Sequence, residues 1–143
     1  MTVFRKSKKD LAIENRKIFI DSSILIDFLR KHNKENSRLW ELKHEYGNLS
    51  ISAISAFGLY ASATSTQKLN DVKTLLKWFD IIDFNEDIAE EAGRKYSILK
   101  QLNKRIDYRD LFIGSSALFY DMNLATLNID HFNRIPDLKL LIP

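Results

Sequence analysis

Short apolar runs, each stopped by polar residues and followed by a longer amphipathic segment, restrict the fold of this sequence more than any other feature. The run 17–20 reads Lys-Ile-Phe-Ile and is stopped by Asp21-Ser22-Ser23. Such runs predict buried strands, whereas apolar residues that recur every three or four positions predict helices. Strands that alternate with one or two helices predict an α/β fold with a mostly parallel sheet.

The pattern assigns four strands, with an edge strand near the C-terminus as a candidate fifth. The predicted strands are 17–20, 49–52, 81–84, 124–127 and the edge strand 138–142. The predicted helices are 24–31, 34–46, a small-residue helix that runs to about Ser65, a helix capped by Asn70-Asp71, 86–102 and 110–120. No repeat or low-complexity linker interrupts the chain, so we expect one domain at 17–143 after a short leader at 1–16.

The basic character of the chain is concentrated in that leader. The net charge is +3, but residues 1–17 carry six basic and two acidic groups, which leaves 16 basic and 17 acidic groups in the rest of the chain. A basic arm attracts phosphates without sequence preference, and it equally serves as a solvated leader. There is no cysteine, and no apolar run of membrane-spanning or signal-peptide type, so we expect a soluble cytoplasmic protein without a membrane association.

Oxygen-bearing side chains follow the predicted strands, at the sheet edge where α/β folds bind ligands. Asp21 follows the first strand, Asn128 and Asp130 follow the fourth, and Asp110 opens the helix that leads into the fourth. Carboxylate and amide oxygens suit Mg²⁺ or Mn²⁺, which polarise phosphoryl groups and activate water. Each aspartate alone is readily explained as a capping or turn residue, so the metal-site hypothesis depends on their convergence.

Other residues are less informative on their own. The three histidines lack metal-ligand spacing, so we interpret His131 and the others as surface or packing residues. Arg109 is explained equally well as a phosphate contact and as a solvated charge. The four glycines are isolated, which excludes a P-loop and a dinucleotide fingerprint. The positions around Asp21 and Asp83 also lack the aspartates that receiver domains and haloacid-type phosphatases require.

Three stretches resemble the PIN-domain family, specifically toxins of the VapC type. The stretch 18–29 is similar to the opening strand, first metal aspartate and following helix of the family. The stretch 110–118 is similar to the segment around the third acidic position. The stretch 124–132, followed by Ile-Pro-Asp-Leu at 135–138, resembles the closing motif. The three occur in order and at matching spacing over about residues 17–142.

The resemblance implies a three-layer α/β/α sandwich and Mg²⁺- or Mn²⁺-dependent cleavage of RNA. It further implies homodimerisation and neutralisation by a cognate antitoxin protein. By resemblance, Asp21 and Asp110 are the metal ligands, and Asn128 takes the fourth polar position with Asp130 close by. Ser23 supports the nucleotide or a water, and Thr126, at a matching motif position, is a further predicted substrate contact.

The chain departs from the family at Gly58, where the resemblance implies a catalytic glutamate. Glycine within a helix costs about 1 kcal/mol relative to alanine, so local stability does not explain it. The departure is compatible with a natural loss of catalysis, with an introduced inactivating change, or with compensation by Asp27 or Asp130. We therefore carry two hypotheses: a toxin ribonuclease weakened or inactivated at Gly58, and a non-catalytic PIN-fold module that binds RNA or protein.

Overall fold

A computed structural model of the chain describes residues 17–142, so the basic leader lies outside the described residues. In chain order, the elements are β1 (Lys17–Ile20), α1 (Ser22–Arg30), a 3-10 helix (Lys34–Asn36), α2 (Arg38–Glu45), β2 (Asn48–Ser52), α3 (Ala53–Ser62), α4 (Thr66–Leu76), β3 (Asp80–Ile82), α5 (Glu86–Gln101), α6 (Tyr108–Phe119), β4 (Asn123–Ala125) and α7 (Ile129–Phe132).

The four strands form one parallel sheet in the order β3-β2-β1-β4. The first strand lies in the interior of the sheet, where Ile18 is aligned with Leu49 of β2 and Phe19 with Leu124 of β4. Parallel neighbours require crossover connections, and the helices between the strands supply them. The predicted α/β fold with a parallel sheet is confirmed.

Helices cover both faces of the sheet, as the alternation of β1 side chains shows. Ile18 and Ile20 pack into a core formed with α1, α2, α3 and α4, whereas Phe19 packs into a second core formed with α5, α6 and α7. All three side chains are fully buried, which stabilises the fold by about 1.5–3 kcal/mol for each. The predicted three-layer α/β/α sandwich is confirmed.

Capping residues move two predicted helix boundaries. Ser37 accepts a hydrogen bond from the backbone N–H of Trp40, so the predicted helix 34–46 divides into a 3-10 turn and α2. Ser65 accepts from the N–H of Lys68 and begins α4 five residues before Asn70, the predicted cap. The sequence did not identify these two caps because neighbouring polar residues are equally acceptable at the start of a helix.

The third and fourth strands are shorter than predicted. The third strand ends at Ile82 and the fourth at Ala125, where the chain turns to place polar side chains at the sheet edge. The predicted edge strand 138–142 is wrong as a strand, because only one bridge, between Leu124 and Leu140, joins it to β4. Among the described residues, no helix has the length and apolar character needed to span a bilayer.

Candidate functional site

The site forms where β1 and β4 end side by side. The backbone N–H of Asp21 donates to the carbonyl of Ala125 at 3.0 Å, so the residues that follow the two strands become neighbours. Asp21 is also the N-cap of α1, which is why a charged residue can sit at the end of a buried strand. Strand order and helix capping together place the first predicted metal ligand at the carboxyl edge of the sheet.

Asp21 is almost fully buried, with 2% of its surface exposed, and one of its carboxylate oxygens receives every hydrogen bond. Oδ2 accepts from Ser23 Oγ at 2.7 Å and from Thr126 Oγ1 at 2.8 Å, with a longer contact from the Ser23 N–H. These donors offset the cost of burying the charge. Within residues 17–142, Oδ1 has no hydrogen-bond partner and is the atom left to bind a ligand.

Ser23 and Thr126 also hold the loop that follows β4. The N–H of Leu127 donates to Ser23 Oγ and the N–H of Asn128 donates to Thr126 Oγ1, each at 3.0 Å. Two hydroxyls therefore connect the Asp21 carboxylate to a loop more than a hundred residues away in sequence. Both residues were predicted as substrate contacts, and the contacts seen here are to Asp21 and the loop backbone.

Asp110 lies in the first turn of α6, which begins two residues earlier than predicted because Asp107 is its N-cap. Burial raises the pKa of Asp110 above its ordinary value of 3.8, and the nearby charges of Asp21 and Asp107 raise it further, while His131 lowers it. The Asp21 contribution shows that the two predicted metal ligands are close enough to repel each other. The two aspartates therefore lie within electrostatic reach of each other, and their role as a metal-binding pair stays a prediction.

His131 is the residue that the sequence analysis missed. Its Nδ1 lies 2.8 Å from Asp110 Oδ2, so it belongs to the site and is not merely a surface or packing residue. This contact orients the Asp110 carboxylate and leaves its Oδ1 unpartnered among the described residues. The signal available was position: His131 comes three residues after Asn128, one turn along the short helix α7.

Gly58 lies in α3, which packs against α6. A Cβ built on Gly58 would lie 3.4 Å from Nη1 and 3.7 Å from Cζ of Arg109, so the guanidinium of Arg109 covers this position. These are ordinary contact distances, and the backbone of Gly58 is not in the left-handed region. Position 58 thus has room for a side chain, and a cation faces it.

Asn128 and Asp130 are both exposed at the rim, on the loop and first turn of α7. They line an open depression together with His131 and Arg134. Among residues 17–142, no three acidic, histidine or cysteine side chains are grouped closely enough to hold a metal ion. Neither Asp130 nor Asp27 therefore completes a three-carboxylate set with Asp21 and Asp110.

The two carboxylate oxygens that remain fit Mg²⁺ or Mn²⁺ as ligands. In both Asp21 and Asp110 the side-chain contacts with other described residues are to Oδ2, so Oδ1 of each carboxylate remains to bind a ligand. Mg²⁺ is commonly bound through one or two carboxylates, with water and substrate oxygens as its other ligands. Burial is the main cause of the raised pKa of Asp110, and a divalent cation would relieve the further contribution that the Asp21 charge makes.

Comparisons with known proteins agree with this architecture. Ribonuclease VapC1 of Methanocaldococcus jannaschii is 32% identical over 143 residues, covering 99% of this chain and 98% of the relative. Ribonuclease VapC10 of Mycobacterium tuberculosis is 31% identical over 122 residues, covering 85% of this chain and 90% of the relative.

Solved structures extend the likeness to the fold. The VapBC2 complex of Rickettsia felis, bound to a DNA fragment from its promoter, contains a chain with a TM-score of 0.75 at 27% identity, covering 87% of this chain and 97% of that one. VapBC-1 of nontypeable Haemophilus influenzae contains a chain with a TM-score of 0.76 at 25% identity, covering 87% of this chain and 96% of that one. The family model of the PIN domain matches residues 18–138, almost the whole described fold. The chain therefore belongs to the PIN-domain family, in the branch of the VapC proteins.

Proposed function

We propose that this chain is a metal-dependent endoribonuclease toxin of a toxin–antitoxin pair, and that Gly58 leaves it weakened or inactive. The observation that carries the proposal is the approach of Asp21 and Asp110 at the carboxyl edge of the sheet, with one unpartnered oxygen on each. The reaction is hydrolysis: water adds to the phosphorus of an RNA phosphodiester and one P–O ester bond breaks. The similar proteins named as ribonucleases support this choice of substrate.

Asp21 and Asp110 would hold Mg²⁺ or Mn²⁺ through these oxygens. The cation, when bound, polarises a phosphoryl oxygen and lowers the pKa of water. Ser23 and Thr126 fix the orientation of Asp21, and His131 fixes that of Asp110. Catalysis depends on such preorganised geometry, because small displacements of a catalytic group cost large factors in rate. Asn128 and Asp130, at the exposed rim, are assigned to the approach of the RNA strand.

A glutamate at position 58 would extend from α3 toward the cavity beside Asp110. Without it, the site lacks the third carboxylate that would strengthen cation binding or orient the attacking water. General acid–base groups contribute about 10²–10⁴-fold to rate, which sets the scale of the expected loss. Gly58 is therefore the feature that favours the second hypothesis, a PIN-fold module that binds RNA or protein without cutting it.

The proposal includes a cognate antitoxin and homodimerisation in the cytoplasm. Several solved relatives are complexes of VapB with VapC, and these support a small protein partner. Exposed aromatic side chains at the end of α6, Phe119 and Tyr120, lie 5.0 Å apart between ring centroids and form the surface we assign to the dimer.

RNA cleavage in Mn²⁺ is the test. The native chain is compared with Gly58→Glu, with its neutral counterpart Gly58→Gln, and with Gly58→Glu combined with Asp21→Ala. We expect Gly58→Glu to cleave RNA at a rate about 10²-fold or more above that of the native chain. Gly58→Gln and the variant that also carries Asp21→Ala should not exceed the native rate. Because Arg109 would pair with the new carboxylate, Gly58→Glu with Arg109→Gln is included to expose activity suppressed by that pairing.

The outcomes separate the two hypotheses. Cleavage by either glutamate variant that disappears with Asp21→Ala supports a nuclease whose site is inactivated at Gly58. Equal cleavage by the Gln and Glu variants would contradict the role of a carboxylate at this position. Absence of cleavage by every variant over a panel of ribosomal, transfer and messenger RNA would favour the binding module.

A further inference from the structure

A cavity of about 410 Å³ opens beside the two aspartates, between α1, α3, α4 and α6. Ser22, which follows Asp21, and Arg109, which precedes Asp110, both line it, so the cavity adjoins the candidate site through the sequence neighbours of the two aspartates. Its inner wall is apolar and includes Ile26 and Leu59. Ser22 Oγ donates to Ser55 Oγ at 2.9 Å where the cavity meets the site.

Three cations line this cavity: Arg30 from α1, Lys68 from α4 and Arg109 from α6. Within residues 17–142, none of their charged groups forms an ion pair or a side-chain hydrogen bond. The one acidic lining residue, Asp71, accepts instead from Gln67 Nε2 at 2.8 Å. Three unpaired cations on three helices around one cavity produce a local positive potential that favours an anion.

Arg109 lies against the position where residue 58 has no side chain. Its guanidinium lies over Gly58 at the distance where a Cβ would touch it, so a carboxylate at this position would be the natural partner of Arg109. In this chain that carboxylate is missing, and among residues 17–142 the guanidinium has no other acidic partner. The described part of the site consequently combines two carboxylates with an unpaired guanidinium.

We propose that the cavity binds a phosphate group of the RNA strand, with Arg109 as its principal ligand and Lys68 and Arg30 as supporting charges. This inference rests on the proposed function, because the cavity adjoins Asp21 and Asp110 and would receive a neighbouring phosphate of the RNA strand that is cut there. A guanidinium offers paired donors that match phosphate oxygens.

Binding is measured without catalysis, by fluorescence anisotropy of a labelled twelve-nucleotide RNA in EDTA, with a gel to show that the RNA stays intact. We expect Arg109→Gln to weaken binding about 3- to 10-fold near 0.1 M salt. Loss of one phosphate contact should also reduce the slope of log K against log salt by about 0.7. Lys68→Gln should act in the same direction.

Lys73→Gln is the matched control. Lys73 lies on α4 like Lys68, is exposed and does not line the cavity. It removes the same charge and should leave the affinity within about 2-fold of the native value. The Gly58 variants sharpen the test: Gly58→Glu should weaken RNA binding by pairing with Arg109, and Gly58→Gln should weaken it less.

Equal effects of Arg109→Gln and Lys73→Gln would overturn the inference, since binding would then follow net charge alone. Unchanged RNA affinity of Arg109→Gln with lost affinity for an oligoglutamate peptide would overturn it in favour of an acidic protein segment. Arg109-dependent RNA binding together with failure of every cleavage variant supports the phosphate site and refutes the nuclease. Cleavage together with Arg109-independent binding refutes the phosphate site alone.

Discussion

Gly58 and Gly114 both lie in the middle of helices, in α3 and α6, but their surroundings are opposite. A Cβ on Gly114 would lie 2.5 Å from Ile135 Cδ1 and 3.4 Å from Leu138 Cδ2, so the segment after α7 fills the space over this glycine. A Cβ on Gly58 would meet only the end of the Arg109 side chain at an ordinary distance. Packing thus explains Gly114 and does not explain Gly58.

The difference teaches that a helical glycine has two distinct uses here. At Gly114 it lets the C-terminal segment close over the second core, where Phe132 and Ile135 are buried. At Gly58 the glycine leaves a site of charged residues without a side chain opposite the Arg109 guanidinium. The first use is structural and the second is chemical, and substitutions should separate them.

The largest stability effect is expected for Gly114→Ala. The new methyl group overpacks a filled core, which costs about 1–3 kcal/mol and outweighs the gain of about 1 kcal/mol in helix propensity. We expect the free energy of unfolding to fall by up to about 2 kcal/mol in urea denaturation. A Gly114→Ala chain as stable as the native one would break the comparison, because Ile135 would then have moved aside without cost.

Gly58→Ala should have the opposite and smaller effect. Its methyl group fits, so the helix-propensity gain should raise the free energy of unfolding by about 0.5–1 kcal/mol. The matched control is Gly93→Ala in α5, where a Cβ would meet nothing within 4 Å. Equal gains in the two variants, measured in the same denaturant, would sharpen the conclusion that packing does not require Gly58. A loss at position 58 alone would contradict it.

Asp110→Asn should give the smallest change in stability, and the size of this change depends on pH. The pKa of Asp110 is raised in the folded chain, chiefly by burial, so the folded state binds this proton more tightly than the unfolded state. Its contribution to stability is therefore present below pH 3.8 and is lost as pH rises through the folded pKa. Asn removes the charge and should stabilise the chain at neutral pH.

Thermal unfolding in EDTA between about pH 3 and pH 8 measures this difference. We expect the melting temperature of Asp110→Asn to exceed that of the native chain increasingly as pH rises, and then to level off. In separate scans without EDTA, the rise in melting temperature that Mn²⁺ induces in the native chain should be lost in Asp110→Asn. An Asn variant that is less stable than the native chain throughout this range would show that the His131 contact outweighs burial.

Local sequence patterns were sufficient for the main architecture. The apolar run at β1 and the polar residues after it predicted a buried strand with Asp21 at its end, because strand burial and helix capping depend on neighbouring residues. The resemblance to the PIN domain was then confirmed by the family comparison. Boundaries such as that of α6 were less accurate, since Asp107 and Asp110 are both acceptable at the start of a helix.

The sequence by itself determined the succession of strands and helices along the chain. It also identified the two candidate metal-binding aspartates and the missing side chain at position 58. Only the tertiary structure decided that His131 contacts Asp110, that Thr126 holds Asp21, and that Arg109 covers Gly58. The physical reason is distance along the chain. Periodicity reports interactions within a few residues, whereas each of these contacts joins elements that meet only when the sheet and its helices have packed.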